Sequence, residues 1–206
     1  MNENKSPIAY RFRGYLPVVL DLETGGFNAE TDAILEMAAV ILEMAEDGSM
    51  IKGQSLFFNV EPFPGANIEK AALEFTGIDP KNPARMAIPE KDALTRTFKS
   101  IRSELKRTGC NRAIMVAHNA SFDQAFINIA SERNNVKRNP FHPFSSFDTA
   151  TLCGLAYGQT VLSRACAAAG IEFNNELAHS AEYDCDKTAE LFCSIVNLWR
   201  ELGGLT

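Results

Sequence analysis

V-V-L-D-L-E-T-G-G-F, residues Val18–Phe27, has the β-branched, alternating character of a buried strand, yet it carries two carboxylates, Asp21 and Glu23, at i and i+2. Successive strand side chains point to opposite faces, so the two acids share one face, their Cβ atoms about 7 Å apart. Leu20 and Leu22 face the other way. Two like charges on a half-buried face repel, raise each other's pKa and lose solvation. A fold that keeps them needs a compensating cation, and a divalent ion held by oxygen ligands is the simplest. Val18, Val19 and Leu20 point to a central strand rather than a solvated edge. Gly25 and Gly26 end the strand and leave the backbone open to close approach by a ligand, with Phe27 at the rim.

Downstream, Ala33–Glu43 is a second apolar run, and the Asp47-Gly48 turn leads to a third, Ser55–Val60. Their short connections predict an antiparallel meander. Ile68–Phe75 reads as a short helix and 83–89 as loop. From Glu90, Leu94, Phe98, Ile101 and Leu105 recur at the helical period, with Arg96, Lys99, Arg102, Lys106 and Arg107 on the other faces. Upstream, Tyr10-Arg11-Phe12-Arg13 alternates cations with aromatics, and as an extended segment would present both arginines on one side. Residues 1–9 read as a flexible leader.

Two further acidic segments follow. Ala113–Ala117 is a fourth strand, and H-N-A-S-F-D-Q-A-F-I, residues 118–127, comes next. Ser121 and Gln124 fit a capping box, so a helix is expected to start there. On it Asp123 falls in line with Phe126, Ile127 and Ala130, although a surface acid in the first turn, favoured by the helix dipole, is the plainer alternative. Ser145–Phe147 is a short fifth strand and Asp148 an N-cap. A-H-S-A-E-Y-D, residues 178–184, enters a helix running to about Leu202, whose apolar stripe is Thr188, Leu191, Phe192, Ile195, Val196 and Trp199. Asp184 lies on that stripe, and His179 falls on the loop entering the helix.

The 206 residues suit a single domain, and 46% hydrophobic with 22% charged residues is an ordinary globular balance. Five cysteines with no C-x-x-C pair read as buried thiols in a reducing compartment. No secretory leader and no apolar run of membrane-spanning length is present, so a cytoplasmic location is expected and no membrane contact. A net charge of −6 argues against a nucleic-acid-coating role. The cations nevertheless cluster at Arg11 and Arg13, at Lys106, Arg107 and Arg112, and at Lys137 and Arg138, and if these meet they would hold an RNA duplex by its phosphates.

Asp21, Glu23, Asp123 and Asp184 thus converge from three segments. Oxygen-only ligands select hard cations such as Mg²⁺ or Mn²⁺. Four negative charges match two divalent ions, the arrangement that clamps the attacking and leaving oxygens of a phosphodiester. His179 is the natural general base for the attacking water. A phosphatase acting on small substrates has no use for the exposed phenylalanines, and a silent binding module none for a complete acid set.

D-L-E-T-G-G, H-N-A-S-F-D and H-S-A-E-Y-D resemble the three motifs of the DEDD exonuclease superfamily, and the H-x-A-x-x-D form of the third resembles its catalytic-histidine subgroup. That resemblance implies an RNase H-like α/β fold with a mixed five-stranded sheet flanked by helices, two Mg²⁺ ions, and 3′-to-5′ removal of single nucleotides. The strings V-E-P-F-P-G-A-N, G-C-N-R-A-I-M-V-A-H-N-A, R-N-P-F-H-P-F and G-Q-T-V-L-S are similar to one exoribonuclease branch of it. This implies a homodimer that trims the 3′ ends of tRNA and other structured RNAs and also cleaves single-stranded DNA, each basic patch serving the partner's active site. It further implies that Phe27, Phe75, Phe122 and Phe144 stack on terminal bases. From the residues alone Phe27 and Phe122 adjoin motif positions, whereas core burial explains Phe75 and Phe144 equally well. Ala71 stands where this branch is expected to carry an acid that contacts a base, so discrimination at the terminal nucleotide is expected to differ. A DNA proofreading or repair exonuclease of the same superfamily is the alternative.

Overall fold

The apolar runs on either side of the Asp47-Gly48 turn form an antiparallel meander of β1 (Tyr15–Thr24), β2 (Ile34–Met44) and β3 (Met50–Glu61). The structure is a computed structural model that describes residues 5–204. A short helix, α1 (Lys70–Thr76), leads by way of the two-residue strand β4 (Ile88–Pro89) into the long helix α2 (Glu90–Thr108). Then come β5 (Arg112–Ala117), α3 (Ala120–Arg133), β6 (Phe141–Asp148), α4 (Thr149–Tyr157), α5 (Leu162–Ala168) and α6 (Ala181–Glu201). The sheet order is β4-β3-β2-β1-β5-β6, with β5 parallel to β1 and β6 parallel to β5. The mixed α/β architecture is as expected, but the sheet has six strands. β4, on the outer edge of β3, lies in the segment expected to be loop, because two residues carry no periodicity to read.

The two faces of the sheet are covered by different helices. Leu22 pairs in register with Met37, and the Thr97 hydroxyl of α2 donates to the Met37 sulfur at 3.5 Å. Glu23 pairs with Glu36, whose carboxylate accepts the Ala181 N–H of α6. The apolar face of β1 therefore lies under α2 and its acidic face under α6. Phe98, Phe126 and Phe192 are the largest fully buried side chains, one each from α2, α3 and α6. All five cysteines are buried free thiols.

Several local expectations change. Residues 1–4 of the leader lie outside the described residues, but Pro7–Tyr10 is a turn of 3-10 helix with Ile8 and Ala9 buried, and the Ser6 N–H donates to the Thr108 carbonyl at 3.0 Å. The leader is therefore docked from Ser6 onward. Phe12 and Arg13 adopt positive φ of 50° and 60°, so Tyr10–Arg13 is a tight turn and the alternation argument for its arginines fails. Helix α3 begins at Ala120 with Asn119 left-handed at its N-cap, φ 72°, so Ser121 lies inside the helix and no capping box forms. Trp199 is 59% exposed, beside Leu155 and Leu202 on an apolar surface groove, rather than in the core. Among the described residues no helix is long and apolar enough to cross a membrane.

Candidate active site

Parallel pairing of β1 with β5 runs only to Val19 and Val116. Beyond that point the β5 side of β1 is open, and α3 turns across it. The Asp123 carboxylate, 3% exposed, accepts the Leu22 backbone N–H there, so an acid sits where a strand partner would have been. Asp123 is thus an inward group and not a surface acid. Asp21 and Glu23 project from the α6 face of β1, and Asp184 reaches them from the first turn of α6.

These groups hold one another out of their usual titration range. Burial, then the charges of Asp123, Glu23, Asp184 and Glu36, raise the Asp21 carboxyl well above the ordinary value. Glu23 is pushed up to about 8 by burial, Asp184 and Glu36. Burial also raises Asp123 and Asp184, against hydrogen bonds from backbone N–H groups. Asp184 Oδ1 is buried with no hydrogen-bond partner among the described residues. Ligand atoms of Glu23, His179 and Asp184 lie within 4.8 Å of one another. An orphaned carboxylate oxygen inside a cluster of uncompensated acids fits a divalent cation, which supplies the missing charge and takes the free lone pairs.

His179 is exposed on the loop before α6, with φ 64°, and its backbone N–H donates to Asp184 Oδ2 at 3.1 Å. The residue is therefore tied to the acids through its main chain, while its exposed ring rests against Phe75. His118, the first residue of the second motif, is instead structural. Its ring nitrogens bond the Thr149 hydroxyl at 3.0 Å and the Thr160 carbonyl at 2.9 Å. Asp148 is the expected N-cap, accepting from Ala150 N–H at 2.9 Å and also from Asn119 N–H at 3.1 Å, which ties the start of α4 to that of α3.

Beside the acids is a cleft of about 380 Å³, lined by Glu23, Gly26, Phe27, Ala71, Phe75 and Phe122 among others. Phe27 is 86% and Phe75 65% exposed, which removes core burial as an explanation for Phe75. Phe144, on edge strand β6, is also exposed, but it contacts His142 and does not line this cleft. Gly25 and Gly26 are closely approached as expected, yet by the protein itself: a Cβ on Gly26 would overlap the Asp32 carboxylate, and one on Gly25 would press on Asn67 and Ile68. Asp32 is buried and accepts from Asn28, Thr31 and Asn67, so the glycines let this bracket close behind Phe27.

The basic residues are held in different ways. Arg112, Lys137 and Arg138 line one surface concavity of about 680 Å³ together with Asn128 and Asn139. Arg13 lies over the Tyr15 ring, whose neighbour across the β1–β5 pair is Arg112, so it borders this region. Arg107 is held by Glu104 and Glu43 at 2.6 and 3.0 Å, Lys106 is exposed beside it on α2, and Arg11 lines the apolar groove near Trp199. Arg102 of α2, one turn before Lys106, donates to the Arg138 carbonyl at 3.2 Å, so α2 also borders this concavity. Arg133 is a fold tie: it pairs with buried Glu90 and lies 3.7 Å above the Phe63 ring.

Sequence reasoning missed Glu36, the fifth carboxylate beside the site. It sat within an apolar run, where a single acid reads as solvent-facing, and only the strand register places it opposite Glu23.

A protein-family model described as RNase_T, Exonuclease, matches residues 18–192. The chain is 66% identical to a protein named Ribonuclease T of Hahella chejuensis, covering 100% of this chain and 94% of that one. It is 60% identical to Ribonuclease T of Photorhabdus laumondii, covering 99% and 95%. Its fold is similar to that of E. coli Exonuclease I in complex with a dT13 oligonucleotide, with a TM-score of 0.68 at 19% identity, over 92% of this chain and 42% of that one. The full-length matches and the acid cluster agree: the chain belongs to the RNase T family of exonucleases.

Proposed function

We propose that this exonuclease is a Mg²⁺-dependent 3′-to-5′ exoribonuclease that trims the single-stranded 3′ ends of tRNA and other structured RNAs, and that also accepts single-stranded DNA. The observation that carries the reading is the juxtaposition of the acid cluster with an aromatic cleft that opens to solvent. Asp21, Glu23, Asp123 and Asp184 would hold two Mg²⁺ ions, for which Mn²⁺ would substitute. When bound, such ions stabilise charge on the attacking and leaving oxygens of the phosphodiester. His179 takes the proton from the attacking water, its main chain anchored by Asp184 and its ring held against Phe75. Phe27, Phe75 and Phe122 grip the terminal base by stacking, which tolerates any base and orients the last phosphodiester over the acids. Ala71 at the wall of the cleft offers no carboxylate at its own position, while Glu69 lines the same cleft. Phe144, standing apart, meets the strand farther along the path, and Arg13, Arg112, Lys137 and Arg138 bind phosphates. The homodimer belongs to the same reading, with this basic surface serving the partner's site.

The test is a gel time course on a 5′-labelled RNA hairpin with a short 3′ overhang, with Mg²⁺ and with chelator. The expected result is a Mg²⁺-dependent ladder that shortens one nucleotide at a time toward the duplex. An untouched RNA beside a degraded DNA twin would replace this reading with the DNA-repair alternative, and light scattering decides the dimer.

A further inference from the structure

Glu36 is an acid beside the site for which the exonuclease reading provides no role. It stands on β2 directly opposite Glu23. Like charges facing each other across a strand pair are destabilising, so a neutral residue here would give a more stable sheet. Its contacts point elsewhere. Glu36 Oε2 accepts the backbone N–H of Ala181 at 3.1 Å, across 145 residues of sequence. Ala181 is the first residue of α6, and the side chain of Ser180 at the N-cap makes no capping hydrogen bond. A helix N-terminus presents unpaired N–H groups and a partial positive charge, and an accepting oxygen there fixes the entry of the chain. Glu36 therefore caps α6 from the sheet. The guanidinium of Arg85 stands nearby, itself fixed to the Leu35 carbonyl at 2.6 Å, and Asn59 donates to the Arg85 carbonyl at 2.8 Å.

The helix held in this way carries Asp184 in its first turn, and the segment entering it carries His179 in the left-handed region at φ 64°. A non-glycine residue holds that conformation only when its surroundings impose it. We infer that Glu36 is a positioning residue: through the Ala181 N–H it fixes the first turn of α6 to β2, and so sets Asp184 and the His179 loop relative to Asp21 and Glu23. The inference rests on the exonuclease reading of the same site. It requires an acceptor oxygen with the reach of a glutamate side chain, not a negative charge.

Two variants separate these requirements. Glu36→Gln keeps the reach and a carbonyl acceptor and loses the charge; Glu36→Asp keeps the charge and loses one methylene of reach. On the 5′-labelled RNA hairpin, Glu36→Gln is expected to keep kcat within about three-fold of wild type. Glu36→Asp is expected to lose about 10- to 100-fold in kcat with little change in KM, the scale of a reacting group displaced by about 1 Å. Amide hydrogen exchange over residues 179–184 should quicken in Glu36→Asp and stay at the wild-type rate in Glu36→Gln. The reverse order, with Glu36→Asp active and Glu36→Gln impaired, overturns the inference and gives Glu36 an electrostatic role. Equal kcat in all three proteins, or equal exchange, overturns it as well. A wild-type protein without Mg²⁺-dependent cleavage would instead overturn the exonuclease reading, and the exchange rates would still decide the anchoring.

Discussion

The imidazole of His179 lies against the ring of Phe75, their centroids 4.0 Å apart and their planes tilted by 46°. The residue proposed to take the water's proton therefore rests on a residue proposed to stack a base. Phe27, by contrast, contacts Phe122 at 6.2 Å and has no ring contact with His179. Phe27→Ala should remove stacking alone, which is worth about 1–3 kcal/mol per base and so about 5- to 150-fold in KM, with kcat within about three-fold. Phe75→Ala should raise KM similarly and also lower kcat, because the imidazole loses its support. Steady-state kinetics on a 3′-tailed hairpin checks both, and an unchanged kcat in Phe75→Ala would disconnect the two rings functionally.

Asp21 is the most crowded of the acids, raised by burial and by four other carboxylates. Asp21→Asn is expected to cut turnover to below about one-thousandth of wild type. Removing one repelling charge should at the same time leave the fold intact and raise the melting temperature in chelator by a few degrees, at about 2–4 °C per kcal/mol for a chain of this size. Wild-type turnover in this variant would take Asp21 out of the metal set.

The Glu23 carboxyl, pushed from the ordinary 4.5 up to about 8, fixes a sign for the pH dependence of stability. Between those values the folded, metal-free protein binds a proton that the unfolded chain releases, so stability falls as pH rises through the window. A divalent ion competes with that proton and binds only the folded state, so its stabilisation should grow with pH. Thermal melts in chelator are expected to show a lower melting temperature near pH 8 than near pH 5, and added Mg²⁺ should raise it more at the higher pH. A Mg²⁺ increment that shrinks with rising pH would contradict the acid cluster as the binding site.

Glu90 and Arg133 form a buried bidentate pair at 2.7 and 3.1 Å, with Asn134 and the Phe63 ring on the same groups. Glu90→Ala leaves the guanidinium without its counter-charge, which costs about 3–5 kcal/mol and lowers the melting temperature by about 10 °C. The pair joins α2 to the end of α3 and does not line the aromatic cleft. Cleavage per folded molecule at low temperature should therefore persist, and a melt unchanged from wild type would reduce the pair to a surface contact.

What the sequence revealed of this molecule were its exceptions to pattern. Asp21 and Glu23 interrupt an apolar strand and Asp123 and Asp184 interrupt apolar helix stripes, so each stood out against its neighbours. Features that follow local pattern, or that depend on pairing between distant segments, did not stand out. The β3 strand begins at Met50, earlier than expected, because Ile51, Lys52 and Gln54 are exposed and break the alternation. The 3-10 turns at the N-terminus depend on positive φ at Phe12 and Arg13, residues that usually avoid it. Glu36 became visible only when register set it opposite Glu23, and the Arg133–Glu90 pair only when α3 met α2.

The basic residues give a sharp comparison because the fold treats them unequally. Arg107 is already engaged by Glu104 and Glu43, whereas Arg138 is exposed in a concavity with Arg112 and Lys137. Each lysine or arginine that neutralises a phosphate releases a counterion and adds close to one unit to the slope of log affinity against log salt. Arg138→Ala and Arg112→Ala should each weaken binding of a catalytically silent Asp21→Asn protein to the RNA hairpin and flatten that slope by about one, or somewhat less over single-stranded contacts. Arg107→Ala in the same background should leave the slope unchanged. Fluorescence anisotropy at several salt concentrations measures all three. A flattened slope in Arg107→Ala beside an unchanged one in Arg138→Ala would move the RNA path from the β5–β6 side of the sheet to the α2 side.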